Sequence, residues 1–179
     1  MLQIEIPDID MYDDEKEEFF NIKRITLRLE HSLVSVSKWE TKWKKPFLDE
    51  RTKKTTEQSL DYIRCMTLNQ NVDYRVYYGL TSENIDTINE YINSNLTATW
   101  FTDTNTPSRE IVTSELIYYW MVAYQIPWEA QKWHLSRLLA LIRICNIKNA
   151  PPKKMSKAAI LRQNSQLNKA RRKALHSKG

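Results

Sequence analysis

The sequence predicts a mostly helical α+β domain with a small N-terminal β-sheet and a basic C-terminal tail. Residues 116–124 are apolar or aromatic without a break, and a helix that is hydrophobic on nearly every side is normally buried. Alternating apolar and polar residues at 2–6 and 25–29 indicate two strands. The chain then ends in a stretch with nine lysines and arginines and no acid. We therefore expect one globular domain over residues 1–150 and a flexible tail over residues 151–179.

The two predicted strands lie on either side of an acidic stretch. The first strand ends at Pro7, because proline cannot donate to a β-ladder. Residues 1–20 contain eight acids and one lysine, so the connection up to Glu18 is expected to be a solvated loop. The strands can pair antiparallel across this loop through the apolar residues Leu2, Ile4, Ile6, Ile25, Leu27 and Leu29.

A capped helix is predicted directly after the second strand. Ser32 is a good N-cap residue, and the helix should run to about Lys45, because Pro46 stops it. The residues spaced to line its inner face are Leu33, Val36, Trp39 and Trp43.

Capping signals and β-propensity predict the elements between residues 55 and 102. Thr55 and Gln58 have the spacing of a capping box, so a helix should begin there and end near Leu68. The following segments are predicted as a short irregular or helical piece at 73–80, a capped helix from Thr81 or Ser82 to Asn93, and a β-branched, aromatic strand at 96–102.

A helical hairpin over about residues 109–147 is predicted to form the core. Ser108 is the expected N-cap of its first helix, and Pro127 suits the first position of its second helix. Both helices carry long apolar faces, so the hairpin should be the most buried part of the domain, with Trp120 inside it. The second helix, from Trp128 to about Asn146, is expected to bury Trp128, Leu135, Leu138, Leu139, Ile142 and Cys145.

A membrane anchor is the alternative for this hairpin. A spanning helix needs about 20 apolar residues, whereas residues 111–126 form a shorter run that contains Glu115. The first ten residues have neither a basic region nor a long apolar run, so no signal peptide is predicted. The expectation is a cytoplasmic protein without membrane contact.

Few residues point to catalysis, a cofactor or a metal. Gly79 and Gly179 are the only glycines, which excludes a glycine-rich phosphate loop. Cys65 and Cys145 lie in separate helical patterns and are expected to be buried free thiols. His134 is expected to have a structural or surface role, because no positioned partner for a general base is indicated. The sequence thus predicts a non-enzymatic protein with no catalytic residues, metal or cofactor.

Aromatic residues are more numerous than a small core needs. The chain has six tryptophans and nine tyrosines, and aromatics at helical spacing usually fill cores. Some of them can instead anchor a protein interface. Base stacking is a third alternative and needs basic residues on the same surface. The closest approach to that pattern is Trp39 and Trp43 with Lys38, Lys42, Lys44 and Lys45 around them. We expect these four lysines to form the outer face of an amphipathic helix.

The basic tail has three interpretations. It is a solubilising extension, a segment that docks on an acidic protein surface, or an arm that binds phosphates. A helix over its thin apolar stripe is expected to form on contact with a partner. The candidate partner-binding residues are Lys153, Lys154, Lys157, Ile160, Arg162, Leu167, Lys169, Arg171, Arg172 and Lys173.

Several stretches resemble a family of small proteins from the tail-gene region of tailed bacteriophages, the tail assembly chaperones. The similarity covers roughly residues 25–175. It is carried by HSLVSVSKWETKW at 31–43, DYIRCMTL at 61–68, YYWMVAYQIPWEAQKWHLSRLLALIRICN at 118–146, KKMSK at 153–157 and LNKARRKAL at 167–175.

The resemblance implies a morphogenesis protein made in the cytoplasm of the infected host cell. Such a protein binds tape-measure and tail-tube subunits until the tail polymerises, and it often exists in two lengths through a programmed frameshift. The rival hypothesis is a phage nucleic-acid-binding protein that acts through its basic tail. An enzyme with an unfamiliar site is the third class, and no motif in the sequence supports it.

Overall fold

A computed structural model of the chain confirms a mostly helical α+β fold with a small N-terminal sheet region. The chain divides into two compact units, Met1–Cys145 and Asn146–Gly179. We call them the body and the tail unit and describe each by itself. The structure describes residues 1–13, 17–49, 51, 53–101, 110–151 and 156–176.

The two predicted strands are present and pair as expected. Strand β1 (Leu2–Ile6) is antiparallel to β4 (Ile25–Leu29). Ile4 lies opposite Leu27 in the register, and both side chains are buried. Alternate residues of a strand point to the same face, so the sequence pattern placed the apolar face correctly.

The acidic connection between these strands is a second hairpin, and the prediction of a solvated loop was wrong. Strand β2 (Ile9–Asp13) pairs antiparallel with β3 (Glu18–Ile22). Asp8, Asp10, Glu17 and Glu18 are exposed, and in the sequence these acids hid the alternation of the apolar residues. Those apolar residues form the cross-strand pairs Ile9–Ile22 and Met11–Phe20.

Three capped helices follow, all near their predicted positions. They are α1 (Leu33–Trp43), α2 (Thr56–Met66) and α3 (Ser82–Asn93). Each begins with a capping box, in which the N-cap side chain accepts from the backbone three residues on and that residue's side chain accepts in return. The pairs are Ser32 with Ser35, Thr55 with Gln58, and Thr81 with Asn84.

A 3-10 helix, Tyr74–Gly79, lies between α2 and α3, where the sequence predicted an irregular or helical piece. Its last residue must be small. A Cβ added at Gly79 would lie 2.9 Å from Ile6 Cγ2 and 3.3 Å from Ile22 Cδ1. Gly79 therefore lets this segment approach both β-hairpins closely.

The two helices of the predicted hairpin exist, but their ends differ from the prediction. Helix α4 (Ser114–Ala123) has Thr113 as its N-cap, and the predicted cap Ser108 lies outside the described residues. The second helix does not begin at Trp128, because Trp128–Lys132 is a 3-10 helix. Helix α5 then spans Leu135–Asn149.

Burial of α4 is one-sided, which corrects the prediction that it is covered nearly all round. Ile117 and Met121 are fully buried, but Tyr119 and Val122 are exposed and Trp120 is half-buried. Helix α4 packs on α1. The completely buried side chains around α1 and the preceding strand are Leu27, Leu29, Leu33, Val36 and Trp39. The apolar run at 116–124 predicts that the helix is in contact with the core, but it does not show how many sides of the helix the rest of the domain covers.

Residues 96–101 are irregular, so the predicted strand at 96–102 was wrong over its described part. Trp100 is 86% exposed. β-branched and aromatic residues favour a strand only where a neighbouring strand offers an edge, and no described strand pairs with this segment.

The tail unit contains helix α6 (Lys157–Ala174). Its N-cap is Ser156, whose hydroxyl oxygen accepts from the Ala159 N–H at 3.2 Å. None of the side chains of α6 is buried. The helix that the sequence predicted for the partner-bound tail is present in the chain alone, and the flexibility of the tail stays a prediction.

Candidate partner-binding site

Most of the predicted partner-binding residues lie together on α6, and each of these is exposed. Lys153 and Lys154 lie outside the described residues. The residues on the helix are Lys157, Ile160, Arg162, Leu167, Lys169, Arg171, Arg172 and Lys173.

Helix α6 separates an apolar stripe from a cationic side. Ile160 and Leu167 are seven residues apart and therefore lie on one face after about two turns. Their side chains are 43% and 48% exposed. The positions of Arg162, Lys169 and Lys173 fall on the opposite side at 100° per residue. The helix thus has apolar anchors on one face and most of its cations on the other, whereas Arg171, four residues after Leu167, lies on the apolar face.

The charges of α6 suit its C-terminal end better than its start. Arg171, Arg172 and Lys173 occupy the last turn, where cations interact favourably with the helix dipole. Most of the stability of a helix in a protein comes from packing of its apolar face, and none of the side chains of α6 is buried. A partner that covers the apolar stripe would supply that missing stabilisation.

Three tryptophans of the body are exposed, against the expectation that most aromatics fill the core. Trp39 alone of the six tryptophans is buried. Trp128 is 52% exposed and stacks on Tyr118 with 5.3 Å between ring centroids. Trp133 lies under the Arg137 guanidinium at 5.2 Å, and Trp100 is free of such cover. Exposed aromatic side chains of this kind are common anchors in protein interfaces.

The aromatic and basic residues of α1 form no base-stacking surface. The indole N–H of Trp39 donates to the Gln58 carbonyl at 2.8 Å, and its ring is inside the core. The indole N–H of Trp43 donates to Asp61 at 2.9 Å. The lysines around them are exposed, as predicted for the outer face of this helix: Lys38, Lys42, Lys44 and Lys45.

Two histidines meet in the interior of the body. His31 and His134 are both buried, with 5.1 Å between ring centroids. Because a carbonyl can only accept, His134 Nε2–H donates to the Tyr91 carbonyl at 3.1 Å, which leaves Nδ1 to accept from the Ser136 hydroxyl at 2.8 Å. His31 Nδ1 shares a hydrogen bond with the Tyr62 hydroxyl. Both rings are therefore held as neutral, hydrogen-bonded core residues, consistent with a structural role for His134.

Acidification should destabilise the body through His31. Burial, helped by the neighbouring His134, lowers the pKa of His31 to about 4. A histidine in the unfolded chain has a pKa near 6.5. Between that pKa and the pKa of the folded state, His31 is protonated only in the unfolded chain, so the free energy of unfolding decreases as the pH falls. The expected loss from His31 is about 2 kcal/mol between pH 7 and pH 5. Urea titrations at the two pH values measure it.

The control for this prediction is His31→Gln, which cannot titrate. Its free energy of unfolding should change less between the same two pH values, whatever its stability at pH 7. Equal pH dependence in the two proteins would show that His31 is not a neutral buried group.

The two cysteines of the body form no disulfide. Cys65 and Cys145 are free, as predicted, but both are half-buried rather than buried. Burial raises the pKa of the Cys65 thiol to about 11. Among the described residues, no cluster of histidine, cysteine, aspartate or glutamate has an arrangement for a metal ion. No helix in that part of the chain is long and apolar enough to cross a membrane.

Comparisons of the chain with protein-family models, with curated proteins and with solved structures found no match.

Proposed function

We propose that the protein is a non-enzymatic bacteriophage morphogenesis factor, a tail assembly chaperone that holds tape-measure and tail-tube proteins before they polymerise. It acts in the cytoplasm of the host cell. The observation that carries the proposal is α6, a capped helix that exposes Ile160 and Leu167 on one side and carries most of its cations away from them. Such a surface suits a partner with an apolar groove and acidic rims, which is a common way of binding a helix.

The exposed aromatics of the body support a role in protein binding. Trp100, Trp128 and Trp133 are each available to a partner, and tryptophan is among the residues that contribute most binding energy at interfaces. A chaperone of assembly needs several such contacts, because it must cover surfaces that later become buried in the assembled tail.

Nucleic-acid binding through the tail is the second candidate, favoured by the absence of acids from 151–179. A purely electrostatic arm has no use for an apolar stripe, however, and Ile160 and Leu167 lie seven residues apart on one face. The separation of the two faces of α6 therefore favours a protein partner.

Co-purification with tail proteins tests the proposal. The full chain, produced together with tape-measure and tail-tube proteins, should retain one of them on an affinity column. Deletion of residues 151–179 should remove the interaction and leave the thermal unfolding of the body unchanged, since the body is a compact unit of its own.

The salt dependence of binding distinguishes the protein-binding function from the nucleic-acid-binding function in the same experiment. Contacts to phosphates weaken steeply as salt rises, because binding releases condensed counterions. A complex that buries the apolar stripe should survive moderate salt. The proposal is wrong if neither tail protein is retained by the full chain, or if the chain instead retains double-stranded DNA that moderate salt removes.

A further inference from the structure

An open groove runs between α2 and α3 on the body. Its volume is about 690 Å³. The floor is formed by the buried rings of Phe47, Tyr62 and His31. The three rings contact one another, because Phe47 and Tyr62 stack with 3.9 Å between centroids and Tyr62 is hydrogen-bonded to His31.

The walls of the groove are apolar and partly open to solvent. Leu60 on α2 faces Ile85 and Ile92 on α3, and all three side chains are only partly buried. The residues between them, Ile63 and Ile88, are buried beneath. Incompletely covered aliphatic side chains on two facing helices leave room for a further apolar element.

The length of the groove fits a short piece of helix. The lining residues span positions 56–63 on α2 and 85–93 on α3. At a rise of 1.5 Å per residue, each wall is about 10–12 Å long, which corresponds to about two helical turns. A partner helix would therefore place three or four apolar side chains, at i, i+3, i+4 and i+7, between the walls.

The rim of the groove carries a positive charge beside the apolar floor. Lys54 Nζ lies 4.2 Å from the centroid of the Phe47 ring, and Lys54 forms no ion pair with any described residue. The acid at the rim, Asp49, is already bound by the Arg51 guanidinium. A ligand with a carboxylate next to its apolar stripe would therefore match Lys54.

This preference excludes the protein's own α6 as the occupant. Helix α6 has no acid, and its cations would approach Lys54. The occupant of the groove is therefore sought in another protein, independently of the function proposed above.

We infer that the groove between α2 and α3 is a docking site for a helix of another protein. The helix is amphipathic, with apolar anchors at i, i+3, i+4 and i+7 and an aspartate or glutamate that pairs with Lys54.

Selection from a displayed library of helical 16-residue peptides tests this inference without any assumed partner. At the four anchor positions the library varies the apolar residue. At the positions beside them it offers an acid, a base or glutamine, and peptides are selected for binding to the full chain. Enriched peptides should carry an acid, and selection on Lys54→Glu should enrich lysine or arginine at the same position instead. Binding to Leu60→Glu/Ile92→Glu should be at least tenfold weaker than to the wild type.

The matched control places two glutamates on another exposed apolar surface, Tyr119→Glu/Val122→Glu, and should bind the selected peptides with wild-type affinity. Methyl resonances of the wild-type protein give a readout that needs no variant, and shifts on peptide addition should map to Leu60, Ile85 and Ile92. The inference is overturned if the library yields no peptide that depends on these residues. It is likewise overturned if the shifts on peptide addition map to Ile160 and Leu167. The same holds if octanoate, used as a probe for an acyl chain, shifts the groove methyl resonances and no peptide does.

Discussion

Replacing Trp39 with alanine should lower the free energy of unfolding of the body by about 3–5 kcal/mol. Trp39 is completely buried, and its ring packs edge-on against Phe47 with 5.1 Å between centroids. The substitution leaves a large cavity between α1 and its neighbours. It also leaves the Gln58 carbonyl without the indole donor that it now accepts from. Urea or guanidinium titration followed by circular dichroism measures the loss.

The matched control is Trp100→Ala, which removes the same side chain from a position that is 86% exposed. Surface substitutions usually change stability by less than about 0.5 kcal/mol. A similar loss for both variants, or a loss below about 1 kcal/mol for Trp39→Ala, would contradict a core centred on α1.

Replacing Glu40 with alanine should cost about 2–5 kcal/mol, because two buried N–H donors lose their acceptor. The Glu40 side chain is buried and accepts from the backbone N–H of Phe47 and from that of Ser114, both at 2.7 Å. Ser114 begins α4, so the carboxylate also lies at the positive end of that helix dipole. Glu40 thus joins α1, the segment after it and the start of α4.

Glu40→Gln provides the control, since its amide oxygen can still accept from one of the two donors. It should be destabilised by less than Glu40→Ala. Hydrogen exchange at the Phe47 and Ser114 amides locates the effect, and both should exchange faster in the alanine variant. Unchanged exchange at these two amides would show that the carboxylate does not hold them.

Elements with strong local signals were predictable from the sequence. The alternation at β1 and β4 and the capping boxes of α2 and α3 depend on residues within a few positions of one another, so the pattern itself specifies them. Helix α6 was predicted only for a tail bound to a partner, although its helix formers and apolar spacing are also local signals.

Features that depend on distant neighbours could not be predicted in the same way. Glu40 accepts from a backbone amide 74 residues away, and no local pattern marks it as buried. Tyr119 and Trp128 resemble core residues in sequence, yet more than half of each side chain is exposed. The groove between α2 and α3 likewise arises from the distance between two helices, each of which shows only an ordinary apolar stripe.

The acidic hairpin shows how one signal can hide another. Ile9 and Met11 alternate with polar residues as β1 does, but the surrounding acids favoured a solvated loop. Charge does not oppose a strand whose polar face is exposed. The pairing of Met11 with Phe20 shows that the apolar face decided the structure.

The central claim is that α6 binds a protein partner through its apolar stripe as well as its charges. The most direct test measures the affinity of tape-measure or tail-tube protein for two full-length variants. One variant is Ile160→Ser/Leu167→Ser, and the other replaces Lys169, Arg171, Arg172 and Lys173 with glutamine. Both variants should bind at least tenfold more weakly than the wild type, since a docked helix needs its apolar anchors. If only the charge variant loses affinity, and double-stranded DNA competes with the partner for the wild-type chain, the claim is contradicted.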